Sequence, residues 1–176
     1  MNNKHSLGIY FLLWAFFGSG FTPEQEQSQD FPTLESSQVE ILCSEGGVVK
    51  YRLLTNEALH YQNGDRIYPE GMHIEFYEDN KEISLTGRAN SVYFFAKNNV
   101  YKFRGDVEIK SLRDQKQLNT EELHWNTETE TFYTDKFIRI ETKEELLTGE
   151  GLTAKQDLSS YAVSKPQGLS NVKSIK

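Results

Sequence analysis

Residues 90–140 contain one strand–turn–strand pattern twice, about thirty residues apart. A polar turn at 97–99 separates the apolar stretches of the first unit, and a turn at 126–130 separates those of the second. The matching apolar pairs are Val92 and Phe94 with Leu123 and Trp125, and Val107 and Ile109 with Ile138 and Ile140. Because residues two apart in a strand lie on one face, both units present an apolar face to the same side. The pattern predicts β-hairpins that bury this face by stacking on one another.

The same pattern continues more weakly on both sides of the repeats. Residues 56–61 with 72–76 fit one further unit, and 149–154 with 161–163 fit another. Apolar alternation at 39–43 and 48–54 predicts two more strands, joined by a tight turn in which Gly46 and Gly47 supply positive φ angles. No stretch of adequate length has a clean helical period, so the sequence predicts an all-β domain over residues 38–164.

The two ends of the chain do not follow this pattern. Residues 1–22 carry a nearly unbroken apolar stretch, which is either a cleaved export signal or a membrane anchor. Either one places the following domain outside the cytoplasm. The anchor residues would be Leu7, Ile9, Leu12, Leu13, Trp14, Phe16 and Phe17. The polar stretch at 23–37 predicts a flexible spacer, and the polar residues 165–176 predict a mobile tail.

Composition and charge narrow the classes of function. A net charge of −7 argues against general nucleic-acid binding, which usually needs a basic surface. Cys43 is the only cysteine in the chain, so no intrachain disulfide can form. It alternates with Val39 and Ile41, as expected for a buried strand residue that behaves as a small hydrophobe.

The residue types that catalyse reactions or bind metals are scattered along the sequence. His60, His73 and His124 each lack a second ligand at metal spacing, which favours outward strand positions. Glu121 and Glu122 point to opposite faces of a strand and cannot form an acid–base pair as neighbours. No nucleotide-binding loop is present in the sequence. We therefore predict a protein that is not an enzyme, with no catalytic residues, no metal site and no cofactor.

Three stretches together resemble one known family. They are FRGDVEI at 103–109, LNTEELHW at 118–125 and GEGLTA at 149–154. In this order, within a similarity that covers about residues 39–168, they resemble the LptC family, the inner-membrane component of lipopolysaccharide export that faces the periplasm. The resemblance implies an open, twisted β-jellyroll of two facing antiparallel sheets, as in LptA-like proteins, behind an uncleaved N-terminal apolar helix at the periplasmic face of the inner membrane. It also implies that the chain accepts lipopolysaccharide from an inner-membrane ABC transporter and passes it to an LptA-like periplasmic bridge protein.

Strand alternation supplies the residues for these two roles. An apolar groove for the acyl chains of lipid A would be lined by inward residues, with candidates Ile74, Phe76, Val92, Phe94, Tyr101, Phe103, Val107, Ile109, Leu123, Trp125, Phe132, Ile138 and Ile140. An edge strand that adds a partner strand would contain Leu152, Ala154, Tyr161 and Val163. The alternative function is an extracytoplasmic carbohydrate-binding or adhesive β-domain without lipid transport, which explains the acidity and the aromatic residues equally well.

Overall fold

The computed structural model describes residues 31–171, which form eleven strands of one antiparallel sheet. The strands are β1 (Leu34–Glu45), β2 (Val48–His60), β3 (Arg66–Tyr68), β4 (Met72–Tyr77), β5 (Ile83–Ala89), β6 (Ser91–Phe95), β7 (Val100–Ser111), β8 (Lys116–Asn126), β9 (Thr131–Glu141), β10 (Glu145–Lys155) and β11 (Tyr161–Asn171). The prediction of an all-β domain is confirmed. Residues 31–171 include no helix that could cross a membrane, and the predicted N-terminal apolar helix lies outside this range.

The sheet is a meander, because long strands pair with their neighbours in the chain. β3 and β4 are two halves of one long strand that turns at 69–71, and β5 and β6 are halves of another that turns at Asn90. The first half of β2 pairs with β4 and its second half with β3. In the same way, β7 pairs with β6 through its first half and with β5 through its second. The result is a row of long strands that runs from β1 at one edge to β11 at the other.

The long strands bend near their middles, where the pairing register shifts. In β7 the shift falls at Gly105 and Asp106, whose φ angles are 75° and 48°, and in β10 it falls at Gly151. The pairing of β8 with β9 shifts between Thr120 and His124. An extra residue at such a bulge bends the strand and increases its twist. Since the bulges lie side by side on neighbouring strands, they fold the sheet into a V.

The fold line divides the sheet into two half-sheets that face each other. The first half-sheet contains β4, β5 and the adjoining halves of the long strands, and the second contains β3, β6 and the other halves. The ring of Trp125 in the second lies 5.0 Å from that of Phe76 in the first. Two facing layers are therefore present, but they are one hydrogen-bonded sheet. The described strands follow meander connections rather than the crossing connections of a strict jellyroll.

The turns and strand ends were predicted with unequal success. The tight turn between β1 and β2 is confirmed, with φ angles of 59° at Gly46 and 82° at Gly47. β1 begins at Leu34, inside the predicted spacer, and β11 continues to Asn171, inside the predicted mobile tail. All side chains of β11 beyond Val163 are exposed, so no apolar alternation marks this part of the strand in the sequence.

Candidate functional site

A cleft lies between the free ends of the two half-sheets, opposite the line of bulges. The ends of β1, β2, β4 and β7 border it on the first half-sheet, and the turns at 127–130 and 156–160 border it on the second. Its volume is about 530 Å³. Pockets for drug-sized ligands span roughly 300–1,000 Å³, so the cleft can hold part of a large ligand without any change of shape.

Aromatic rings form the floor of this cleft. Trp125 packs edge to face against Tyr51 and Phe76, with ring centroids 5.1 and 5.0 Å apart, and stacks on Tyr101 at 5.2 Å. Its Nε1 donates a 2.7 Å hydrogen bond to Oε1 of Gln156, which satisfies the one polar atom of the indole ring. Such packing stabilises large rings beyond their buried area. The floor is therefore an apolar surface held in a fixed arrangement.

The two tyrosines beside Trp125 remain neutral. Burial is the largest cause that raises the pKa of Tyr51 and of Tyr101 far above the ordinary value of 10.0. The Cys43 thiol, which faces Tyr51 across the β1–β2 pair, raises the pKa of Tyr51 further. Because neither phenol ionises at physiological pH, these two tyrosines place no negative charge next to an apolar ligand.

The rim of the cleft carries more carboxylates than basic groups. Its charged residues are Glu45, Glu78, Glu130 and Asp157 against Lys50 and Arg113. Both basic groups are already paired, since the Lys50 Nζ lies 3.0 Å from Asp79 and the Arg113 guanidinium lies 3.6 Å from Glu78. An anionic group would therefore be disfavoured at this rim.

The turn at 156–160, which we call the latch turn, closes one end of the cleft. The Asp157 carboxylate lies 3.7 Å from Nη2 of Arg113, and the Leu158 carbonyl accepts a 3.2 Å hydrogen bond from Nζ of Lys116. The Leu158 side chain is 3% exposed and belongs to the common core. Both polar contacts join the second half-sheet to the first, so the latch turn must release before this end of the cleft can widen.

The thirteen predicted groove residues all lie in the buried interior between the half-sheets. Their exposed fractions range from 0% to 9%. Phe76 and Trp125 line the cleft, and Phe94 lines a separate small groove at the tip of the second half-sheet. The remaining ten pack in the closed core, so an acyl chain can reach them only if the half-sheets separate. Lipid contact by these residues stays a prediction.

The predicted edge residues divide between two strands. Leu152 and Ala154 lie in β10, which pairs with β9 on one side and with β11 on the other. Since β10 has a partner strand on both sides, the expectation that these two residues lie on a sheet edge is wrong. Tyr161 and Val163 lie in β11, which is the last strand of the described residues.

Sequence reasoning missed two features of the cleft. Tyr51 was not a candidate, although its alternation with the buried Leu53 marks it as inward. Cys43 is half-buried and lines the cleft instead of lying in the core. Within residues 31–171, no group of His, Cys, Asp and Glu side chains could hold a metal ion.

The three histidines take different positions on the sheet. His73 follows the predicted outward alternation of β4, and His124 stacks on the exposed ring of Tyr133 at 4.9 Å. By alternation with the buried Ala58, His60 points inward, against expectation.

The match to a known family covers both the domain and the apolar N-terminal stretch. A family described as lipopolysaccharide-assembly, LptC-related, matches residues 6–165. No curated protein matches the chain.

Proposed function

Since the chain belongs to the LptC-related family of lipopolysaccharide-assembly proteins and so has a role in lipopolysaccharide transport, we propose that its cleft receives the acyl chains of lipid A. In this proposal residues 1–22 anchor the chain at the periplasmic face of the inner membrane. An inner-membrane ABC transporter supplies the lipopolysaccharide, and an LptA-like bridge protein accepts it.

The aromatic floor of the cleft is the observation that carries this proposal. A lipid in water gains about 0.8 kcal/mol for each methylene group that is buried. The rings of Tyr51, Phe76 and Trp125 offer such a surface at the open side of the V. The saccharide of the cargo would remain in solvent outside the cleft.

The closed core behind this floor indicates how more of the cargo could enter. Lipid A carries several acyl chains and is larger than the ligands that fit a cleft of about 530 Å³. The two half-sheets would therefore move apart about the line of bulges while the latch turn releases. The buried apolar residues behind the floor would then replace contacts with each other by contacts with acyl chains.

Transfer to the bridge protein would use β11. This strand has unpaired backbone groups along its outer side, because it pairs only with β10 in the described residues. Pro166 lies at the midpoint of β11, and proline is a common means by which edge strands avoid unwanted pairing. The first half, from Tyr161 to Lys165, is therefore the part that best suits the addition of a partner strand.

Photocrosslinking in cells tests the proposed cleft. A benzoylphenylalanine at Tyr51, which is half-buried in the cleft, should form adducts with lipopolysaccharide only when the transporter hydrolyses ATP. The matched control is the same substitution at Tyr133, an aromatic residue that is 38% exposed on the outer face. Equal adducts at both positions, or none at Tyr51, would contradict the proposal. Adducts at Tyr133 that contain glycan alone would favour the carbohydrate-binding alternative.

A further inference from the structure

One arginine in the interior lacks the ion pair that the others have. The chain contains six arginines. Five of them, Arg52, Arg88, Arg104, Arg113 and Arg139, lie within 4.0 Å of a carboxylate. Arg66 has no such partner among residues 31–171. Its guanidinium lies over the ring of Phe94 instead, 4.9 Å from the centroid.

Strand register places Arg66 on the inner face of the second half-sheet. It pairs directly with Phe94 of β6, and Phe94 is buried against Tyr101 with ring centroids 4.6 Å apart. It also lies two residues from Tyr68, which is 0% exposed, so both point to the same side. A half-buried cation without a counter-charge thus faces the interior.

The hydroxyl of Tyr68 lies beside this cation and is also unsatisfied. It is buried and has no hydrogen-bond partner within residues 31–171. Burial raises the pKa of Tyr68, and the neighbouring Arg66 guanidinium offsets part of that effect. Buried polar groups nearly always have partners, so an isolated one indicates a missing ligand or water. Because a guanidinium and a phenol can both donate, one anion with several acceptor oxygens would satisfy both.

The surroundings of Arg66 are compatible with an anion. A groove of about 180 Å³ at the tip of the second half-sheet is lined by Arg66, Phe94, Asn63 and Asp65. The Asp65 carboxylate is already engaged, since it accepts hydrogen bonds from the Ala96 N–H at 2.8 Å and from Nδ2 of Asn63 at 2.9 Å. Asp65 keeps its negative charge in this arrangement, but it makes no ion pair with Arg66 within 4.0 Å.

The position of Arg66 relative to the cleft suits an amphipathic ligand. Cross-strand partners lead from Arg66 through Phe94 and Tyr101 to Trp125 on the cleft floor. Three strand spacings separate the two ends of this row, or roughly 14 Å. The rim of the cleft is acidic, and its two basic side chains already form ion pairs. An anionic headgroup would therefore bind better at Arg66 than at the rim.

We infer that Arg66 and Tyr68 bind a phosphate group of the glycolipid headgroup while the acyl chains occupy the cleft. This inference rests on the proposed function, because it assigns the headgroup of the same cargo. The planar guanidinium matches two phosphate oxygens at once, which an ammonium group cannot do.

Binding to two forms of one lipid tests the inference. The full-length chain in nanodiscs of uncharged lipid is titrated with lipid A that bears both phosphates and with the same glycolipid without phosphates. Wild type should bind the phosphorylated form about tenfold more tightly. Arg66→Gln should lose this preference, Arg66→Lys should keep part of it, and Tyr68→Phe should weaken it without loss of thermal stability. Arg139→Gln removes an equal charge from an exposed residue and should change nothing.

The possible failures can be told apart. If wild type binds neither lipid, the proposed cleft itself is wrong. If it binds both equally, and Arg66→Gln binds as wild type does, the headgroup site is wrong while the cleft stands. A third titration uses inorganic phosphate without lipid. Equally tight binding of inorganic phosphate, with the same dependence on Arg66, would assign the site to free phosphate and overturn the headgroup inference.

Discussion

Gly71 shows how one residue fixes the path of the chain between the half-sheets. It joins β3 to β4 with a φ angle of 82°, and its carbonyl accepts a 2.7 Å hydrogen bond from Oγ1 of Thr55. A Cβ atom at this position would collide with the backbone carbonyl oxygen of Ala89. Gly46 also has a positive φ, but a Cβ there would meet nothing within 4 Å. Substitutions at these two glycines therefore distinguish the energetic cost of a left-handed backbone from the cost of a steric collision.

We predict that Gly71→Ala lowers the free energy of unfolding by about 3 kcal/mol, because it adds a steric collision to the strain of a left-handed backbone. Gly46→Ala should cost only about 1 kcal/mol, since it carries the backbone term alone. Chemical denaturation of the two variants measures the difference. Equal losses would show that the corner at Gly71 can relax to admit a side chain.

Alternation along single strands predicted the direction of individual side chains well. Every apolar residue that the two repeats mark as inward is buried, from Val92 to Ile140. The same rule would have placed Arg66 inward with Tyr68, but a basic residue in an otherwise apolar row was not considered. The absence of an ion pair at Arg66 depends on which residues fold against it, so the sequence alone could not reveal it.

The edge strand is the element for which sequence reasoning failed most clearly. An edge strand pairs with one neighbouring strand, and an interior strand pairs with two. The amino-acid sequence of a polar segment does not show which of the two it is. β10 is paired on both sides, and its second half alternates the buried Leu152 and Ala154 with the exposed Thr153 and Lys155. From residue 165 onward β11 reads as a polar tail, although it pairs with β10 as far as Asn171.

Proline at two successive positions of β11 tests its role in transfer. Adjacent residues of an antiparallel strand direct their N–H groups to opposite sides, so only one of Ala162 and Val163 donates to β10. One of the variants Ala162→Pro and Val163→Pro should therefore lose thermal stability. The other should keep its melting temperature and bind an LptA-like bridge domain about tenfold more weakly, because a main-chain hydrogen bond to the partner is lost. If the stable variant binds the bridge domain normally, β11 is not the docking edge.

In the molecule as a whole, the two half-sheets are joined along the line of bulges, and the latch turn connects their free ends. The repeat pattern predicted neither the bulges nor the contacts that close the cleft. Arg113 and Lys116 reach the latch turn from a part of the chain about forty residues away. Such contacts follow from the fold, so they could not be read from local pattern.

We predict that Lys116→Met with Asp157→Asn opens the cleft without unfolding the protein. The variant loses one hydrogen bond and one exposed ion pair between the half-sheets, which should destabilise the closed form by about 1 kcal/mol and raise the open population about fivefold. The 3.9 Å pair of Lys116 with Asp114 is lost as well, but both of these residues belong to the first half-sheet. Acrylamide quenching of Trp125, measured in a Trp14→Phe chain so that it is the only tryptophan, should increase accordingly. The control Asp135→Asn removes an exposed ion pair with Lys136 and should leave quenching unchanged. Unchanged quenching in the double variant would show that the latch turn does not hold the cleft shut.

The meander has a consequence for how such a domain can change in size. Each long strand pairs with the next one in the chain. Tandem duplication of a hairpin would therefore lengthen the folded sheet without changing the path of any other segment. Each duplicated pair of strands would add about 10 Å, twice the spacing between strands. Under the proposed function, the length of acyl chain that the domain shelters would be set by how many hairpins the gene encodes.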